Sequence, residues 1–106
     1  MSVSVRFEYR LKGKSDDLAK FVQKHTSDGC FCLETLGIDY PEEMDLEKCD
    51  NPQDITDHNL KEIRILFSIV YRRHFSNSSV QDDIYEEISK QYPNLEVEYF
   101  VNDPYL

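Results

Sequence analysis

The chain has 106 residues, with 12 Lys and Arg against 21 Asp and Glu, for a net charge of −9. That length suits one domain with one core, and the charge disfavours non-specific binding to nucleic acid or an anionic membrane, both of which repel it. Hydrophobic residues at 40%, among them seven Tyr and six Phe, exclude wholesale disorder.

No apolar run approaches the roughly 20 residues needed to cross a bilayer. The opening Met1-Ser2-Val3-Ser4-Val5-Arg6 alternates like a strand and lacks the charged and apolar regions of a signal peptide. Three cysteines, an odd number in no dense framework, fit free thiols in a reducing compartment. A cytoplasmic location is the expectation.

In chain order, Val3, Val5, Phe7, Tyr9 and Leu11 alternate with Ser2, Ser4, Arg6, Glu8 and Arg10, which predicts a strand with one face buried. Ser15 is the expected N-cap of a helix, with Asp16 and Asp17 at the positive end of its dipole. Leu18, Phe21, Val22 and His25 fall at helical spacing on its inner face, and Ser27-Asp28-Gly29 ends it. Cys30 to Ile38 reads as a second, less regular strand that Gly37 breaks or bulges. From Asp39 to His58 the periodicity disappears: acids stand against a single Lys48, with Pro41 and Pro52 as breakers. This predicts a long acidic connection with room for one helical turn around 42–48. Such a loop is unusual in a compact domain and points to function or mobility.

The stretch 62–72 organises the rest. Ile63, Ile65, Phe67, Ile69 and Tyr71 recur every second residue, while Leu66 and Val70 sit at the centre of the other face. A strand this apolar belongs inside a sheet, because at an edge it would template aggregation. Ser78 with Gln81 suggests a capping box for a second helix whose stripe is Val80, Ile84 and Ile88, and Pro93 prevents continuation. Leu95, Val97, Tyr99 and Val101 then alternate with Glu96, Glu98 and Phe100 as a last strand.

The order β-α-β, long connection, β-α-β predicts an α+β, ferredoxin-like domain over 1–106: a four-stranded antiparallel sheet, two helices on one face, and the first and third strands central. The segments Leu36-Gly37-Ile38-Asp39, the apolar third strand, and Ile88-Ser89-Lys90-Gln91-Tyr92-Pro93-Asn94-Leu95-Glu96-Val97 carry a resemblance. Through them, 63–102 looks like the ferredoxin-like (YubB-type) domain of plasmid- and phage-encoded proteins of unknown function. The resemblance implies a mobile-element origin and transfers no catalytic residue.

Motifs for chemistry are weak. Cys30 and Cys32, with Cys49, His58 or His74, have the wrong spacing for a zinc site, and small core residues are the plainer explanation. A Cys–His pair lacks any local frame that would activate a thiol. Asp16-Asp17, Asp82-Asp83 and Glu86-Glu87 fit solvated helix surface better than a catalytic dyad. Asp45-Leu46-Glu47-Lys48-Cys49-Asp50 lacks the calcium-loop arrangement, and no phosphate-binding glycine motif occurs. Neither cofactor nor metal is expected. RNA readers of this class stack bases on sheet aromatics; here Phe100 alone is available, so nucleic acid is not an expected partner.

Two surfaces remain as partner sites. One is the sheet face, where Arg64, Leu66, Val70, Arg72 and Phe100 make an apolar patch with a charged rim, the usual build of a protein-binding face. The other is the acidic connection, Glu42, Glu43, Asp45, Glu47, Asp50, Asp54 and Asp57. The expected function is a non-enzymatic regulator or inhibitor that docks on another protein, as a monomer or homodimer. In its sharper form the carboxylates imitate nucleic acid. The alternative is a small-molecule-binding or catalytic domain whose site lies under the 39–58 loop, with His58, Cys32, Tyr40 and His74.

Overall fold

A computed structural model describes residues 3–27, 30–38, 43–71 and 79–102. Its elements are β1 (Val3–Lys12), α1 (Ser15–His25), β2 (Thr26–Ser27), β3 (Cys30–Phe31), a 3-10 turn (Leu33–Leu36), β4 (Glu43–Cys49), α2 (Pro52–Asp57), β5 (Glu62–Tyr71), α3 (Ser79–Gln91) and β6 (Glu96–Asn102). The architecture is α+β. Four antiparallel strands run in the order β4-β5-β1-β6, and β2 pairs with β3 as a separate short ribbon.

The strand over 62–71 is central, paired with β1 on one side and β4 on the other. Alternation explains its two faces. Val5, Phe7, Tyr9 and Leu11 of β1 and Ile63, Ile65, Phe67 and Ile69 of β5 are all buried on the inner face. Directly opposite residues stack: Phe7 lies 5.2 Å from Phe67, and Tyr9 lies 5.6 Å from Tyr99 of β6. Phe31 of the small ribbon stacks on Phe67 at 5.0 Å, so the ribbon closes over this layer.

The helices cover the same face. Leu18, Phe21 and Val22 of α1, Ile55 of α2, and Val80, Ile84 and Ile88 of α3 join the strand residues in one core cluster. Among the described residues His25 is the one buried imidazole. Its hydrogen bonds fix its state. Thr35 donates its hydroxyl proton to the Cys32 carbonyl at 2.6 Å, so Thr35 Oγ1 must accept from His25 Nδ1–H at 2.6 Å. Nε2 is then the acceptor for the Tyr92 hydroxyl, also at 2.6 Å. Burial, with Lys24 alongside, holds this neutral imidazole's pKa down at about 4.

Three expectations need correction. The N-cap of α1 is Lys14; Ser15 is the first helical residue, and its hydroxyl instead reaches Asn59 Oδ1 at 3.0 Å. The strand expected over Cys30–Ile38 is only two residues long. From Leu33 the chain turns into a 3-10 helix that ends at Gly37 with φ of 85°, a conformation natural to glycine. Leu33 and Leu36 are both buried three residues apart, which 3-10 geometry permits and a strand does not.

The long acidic loop is the third. Its described part is strand β4 and helix α2, so three α-helices pack here rather than two. A bulge hid the strand. Leu46 opposes Phe67 and Cys49 opposes Ile65, both inner-face partners, yet they are an odd number of residues apart. The register shift between Leu46 and Lys48 leaves Glu47 as the extra residue and returns Cys49 to the inner side. Strict alternation fails across such a step. The helix α2 is N-capped by Asn51, whose Oδ1 accepts from the Gln53 N–H at 2.8 Å, with Pro52 at its first turn.

Candidate docking face of the sheet

The helices leave the other face of the sheet open. Register lays its side chains out as a grid. Lys48, Leu66, Glu8 and Phe100 form one row across β4, β5, β1 and β6. Arg64, Arg10 and Glu98 form the next, followed by Glu62, Lys12 and Glu96. On the other side lie Asp45, Ser68, Arg6 and Asn102.

Phe100 is 48% exposed, and one of two large apolar side chains so placed among the described residues. It is not loose. The Arg10 guanidinium carbon stands 4.7 Å from its ring centroid, and Arg10 Nε donates to Glu8 Oε2 at 2.6 Å. Beside it, a shallow depression of about 230 Å³ is lined by residues that include Arg6, Glu8, Leu66, Phe100 and Asn102.

The β4 side of the face is held by Glu47. Arg6 donates to its Oε2 through Nη2 at 2.8 Å and Nε at 3.2 Å, while Ser68 Oγ–H donates to Oε1 at 2.5 Å. The Ser68 hydroxyl, then Arg6, hold the Glu47 carboxyl below its usual pKa. This cover explains why Ser68 is buried on a face whose other described side chains are exposed or half-buried. A bulge that aims a side chain across the sheet is a known use of the device.

Cations and anions nearly balance. Arg6, Arg10, Lys12, Lys48 and Arg64 share the face with Glu8, Asp45, Glu47, Glu62, Glu96 and Glu98, in a chain of net charge −9. Lys12 pairs with Glu98 at 3.5 Å. Among the described residues Arg64 makes no ion pair, although it sits directly opposite Arg10. Like charges placed opposite each other are unfavourable. Of the expected patch, then, Arg64, Leu66 and Phe100 share one face; Val70 lies in β5 opposite Ser4, its side chain outside the description, and Arg72 lies outside the described residues. The stacking role of Arg10 and the presence of Lys48 went unread. Alternation places Arg10 on this face, but its contact with Phe100 depends on the register between β1 and β6; the bulge concealed Lys48.

The described acidic residues of 42–57 are divided between two elements and the link that joins them. Asp45 and Glu47 stand on the edge strand β4, Asp50 follows it, and Asp54 and Asp57 ride on α2, which packs against α1. Glu43 is in β4 with its side chain outside the description, and Glu42 lies outside the described residues. Elsewhere Asp82 accepts from the Tyr99 hydroxyl at 2.6 Å, and Glu87 accepts from Gln91 at 2.9 Å.

Of the other expected site residues, Cys32 and His58 are described, and they lie at opposite ends of α1. Tyr40 and His74 lie outside the described residues. The Cys32 N–H donates to the His25 carbonyl at one end of α1, whereas His58 adjoins Asn59, bound to Ser15 at the other end. Eleven helical residues separate those ends by about 16 Å. Burial and the neighbouring Asp50 push the Cys49 thiol up to about 11, far from a reactive thiolate. No group of three His, Cys, Asp or Glu among the described residues could hold a metal. No described helix is long and apolar enough to cross a membrane. No protein-family model matches the chain, and no curated protein matches it.

Proposed function

We propose that the chain is a protein-binding module that acts by docking, through the open face of its sheet, and has no catalysis of its own. The observation that carries this is Phe100, held half-exposed by Arg10 next to Leu66 and a shallow depression, inside a rim of charges. An apolar centre with a polar rim is the anatomy of a protein interface. The depression is smaller than the roughly 300–1,000 Å³ of small-molecule sites, which favours a side chain of a partner as its occupant. A regulator or inhibitor would work this way, by occupying a surface.

The nucleic-acid-mimic version draws less support. Glu47 is paired with Arg6, which leaves its carboxylate less available to a basic groove. A ferredoxin-like fold is part of the proposal. The β4-β5-β1-β6 order with β1 and β5 central supports it, with α2 and the β2–β3 ribbon as additions. The likeness of 63–102 to YubB-type domains goes with that reading.

A photo-crosslinking amino acid at position 100 tests it in the cells that make the protein. The expected result is a protein adduct at position 100 and none from the same group at exposed Lys20 on α1. An absence of adducts at 100, with the chain folded and expressed, would remove the reading.

A further inference from the structure

This inference rests on the docking reading and names the occupant. We propose that the open sheet face packs against the same face of a second copy of this chain. A two-fold interface is isologous, so one patch must complement itself. Net charge is the first obstacle for so acidic a chain, because two faces carrying its excess would repel. The described open face carries almost none of it, while α2 and α3 present Asp54, Asp57, Asp83 and Glu86 on the helical side.

The face also holds unmatched charges of both signs. Arg64 makes no ion pair among the described residues, and neither do Glu62 and Glu96. Lys48 is unpaired among them as well, so a copy brings two cations, Arg64 and Lys48, to face Glu62 and Glu96. Leu66 and Phe100 provide the apolar centre, and the depression beside Phe100 is a socket of side-chain size. Area is close to what a dimer needs. Two strands of ten residues and two of seven, each residue about 4.8 by 3.4 Å, span on the order of 550 Å² in projection. With side-chain relief that approaches the roughly 800 Å² each partner contributes to a standard interface.

Analytical ultracentrifugation of the full chain from micromolar to millimolar concentration is the test. The expected result is a species of twice the 12.6 kDa chain mass. Phe100→Glu and Leu66→Glu should each raise the dimer dissociation constant at least about tenfold, as hot-spot changes do, with the circular dichroism spectrum unchanged. Lys20→Glu on α1 should leave it alone. A 12.6 kDa species at millimolar concentration overturns the proposal. So does a dimer indifferent to both variants, which would be built elsewhere. The crosslinker at position 100 separates the two claims. A foreign adduct on a monomeric chain ends self-association but keeps the docking reading; no adduct on a monomeric chain ends both.

Discussion

The two faces of one sheet are built from the same strands and solve opposite problems. On the inner face every described position of β1 and β5 is apolar and buried, and the rings of Phe31, Phe67, Phe7, Tyr9 and Tyr99 stack from one element to the next. On the open face charges of both signs stand side by side, some of them clamped in ion pairs, with Phe100 and Leu66 among them. The inner face shows what this fold needs in order to exist. The open face carries features the fold does not need, and those are the ones that call for another explanation.

The comparison breaks most visibly at Phe67. It is fully buried and stacks on Phe7, Tyr9 and Phe31. Phe67→Ala should cost about 3–5 kcal/mol, the range for emptying an aromatic core site, read from the urea midpoint. For a small domain that is a large share of total stability. A loss under about 1 kcal/mol would mean that the inner layer is not the packed core described.

The polar exception inside the core gives the next largest effect. His25 has a pKa of about 4 folded against 6.5 unfolded. The unfolded chain therefore binds the proton first, and stability present above pH 6.5 is lost as pH falls toward 4. Between pH 7 and pH 5 the loss should be on the order of 2 kcal/mol. His25→Gln should flatten the urea-midpoint profile over this window. An unchanged slope would show that another group carries it.

How far the sequence exposed these features follows from periodicity. Strands β1, β5 and β6 and the inner stripes of α1 and α3 each keep an unbroken period of two or about 3.6, so pattern alone finds them. The region 30–57 does not. Cys30 to Leu36 changes from strand to 3-10 turn within a few residues, and Glu47 interrupts β4 with a bulge. Acid-rich β4 also reads as loop because its charges protect an edge strand, which composition cannot tell from a solvated connection. The patch of Arg64, Leu66 and Phe100 was legible because alternation assigns faces. That Arg10 stacks on Phe100 and that Glu47 reaches Arg6 were not, since both depend on register between distant strands.

The charge network of the open face should matter less than either core group. Glu47→Gln removes the ion pair with Arg6 but keeps an acceptor for Ser68. Exposed pairs contribute about 0–1 kcal/mol, and the expected loss at pH 7 lies in that range. Because the Glu47 pKa is lowered in the folded state, its contribution is present above the unfolded carboxylate value and lost as pH falls through the folded one. The difference between Glu47→Gln and the parent chain should therefore shrink in acid. A difference that grows in acid would contradict the ion-pair account.

The smallest effect on folding is the most informative. Phe100→Ala removes a half-exposed ring whose contacts are Arg10 and the edge of the depression. Away from caps and core, surface substitutions stay within about 0.5 kcal/mol, and the urea midpoint should barely move. An aromatic side chain that stabilises the monomer so little, on a sheet face that the described helices leave uncovered, has its area available for association. Loss of self-association in Phe100→Ala, with stability unchanged, would separate the two faces by function as cleanly as burial separates them by structure. A loss of stability comparable to Phe67→Ala would place Phe100 in the monomer's own packing and erase the distinction between the faces.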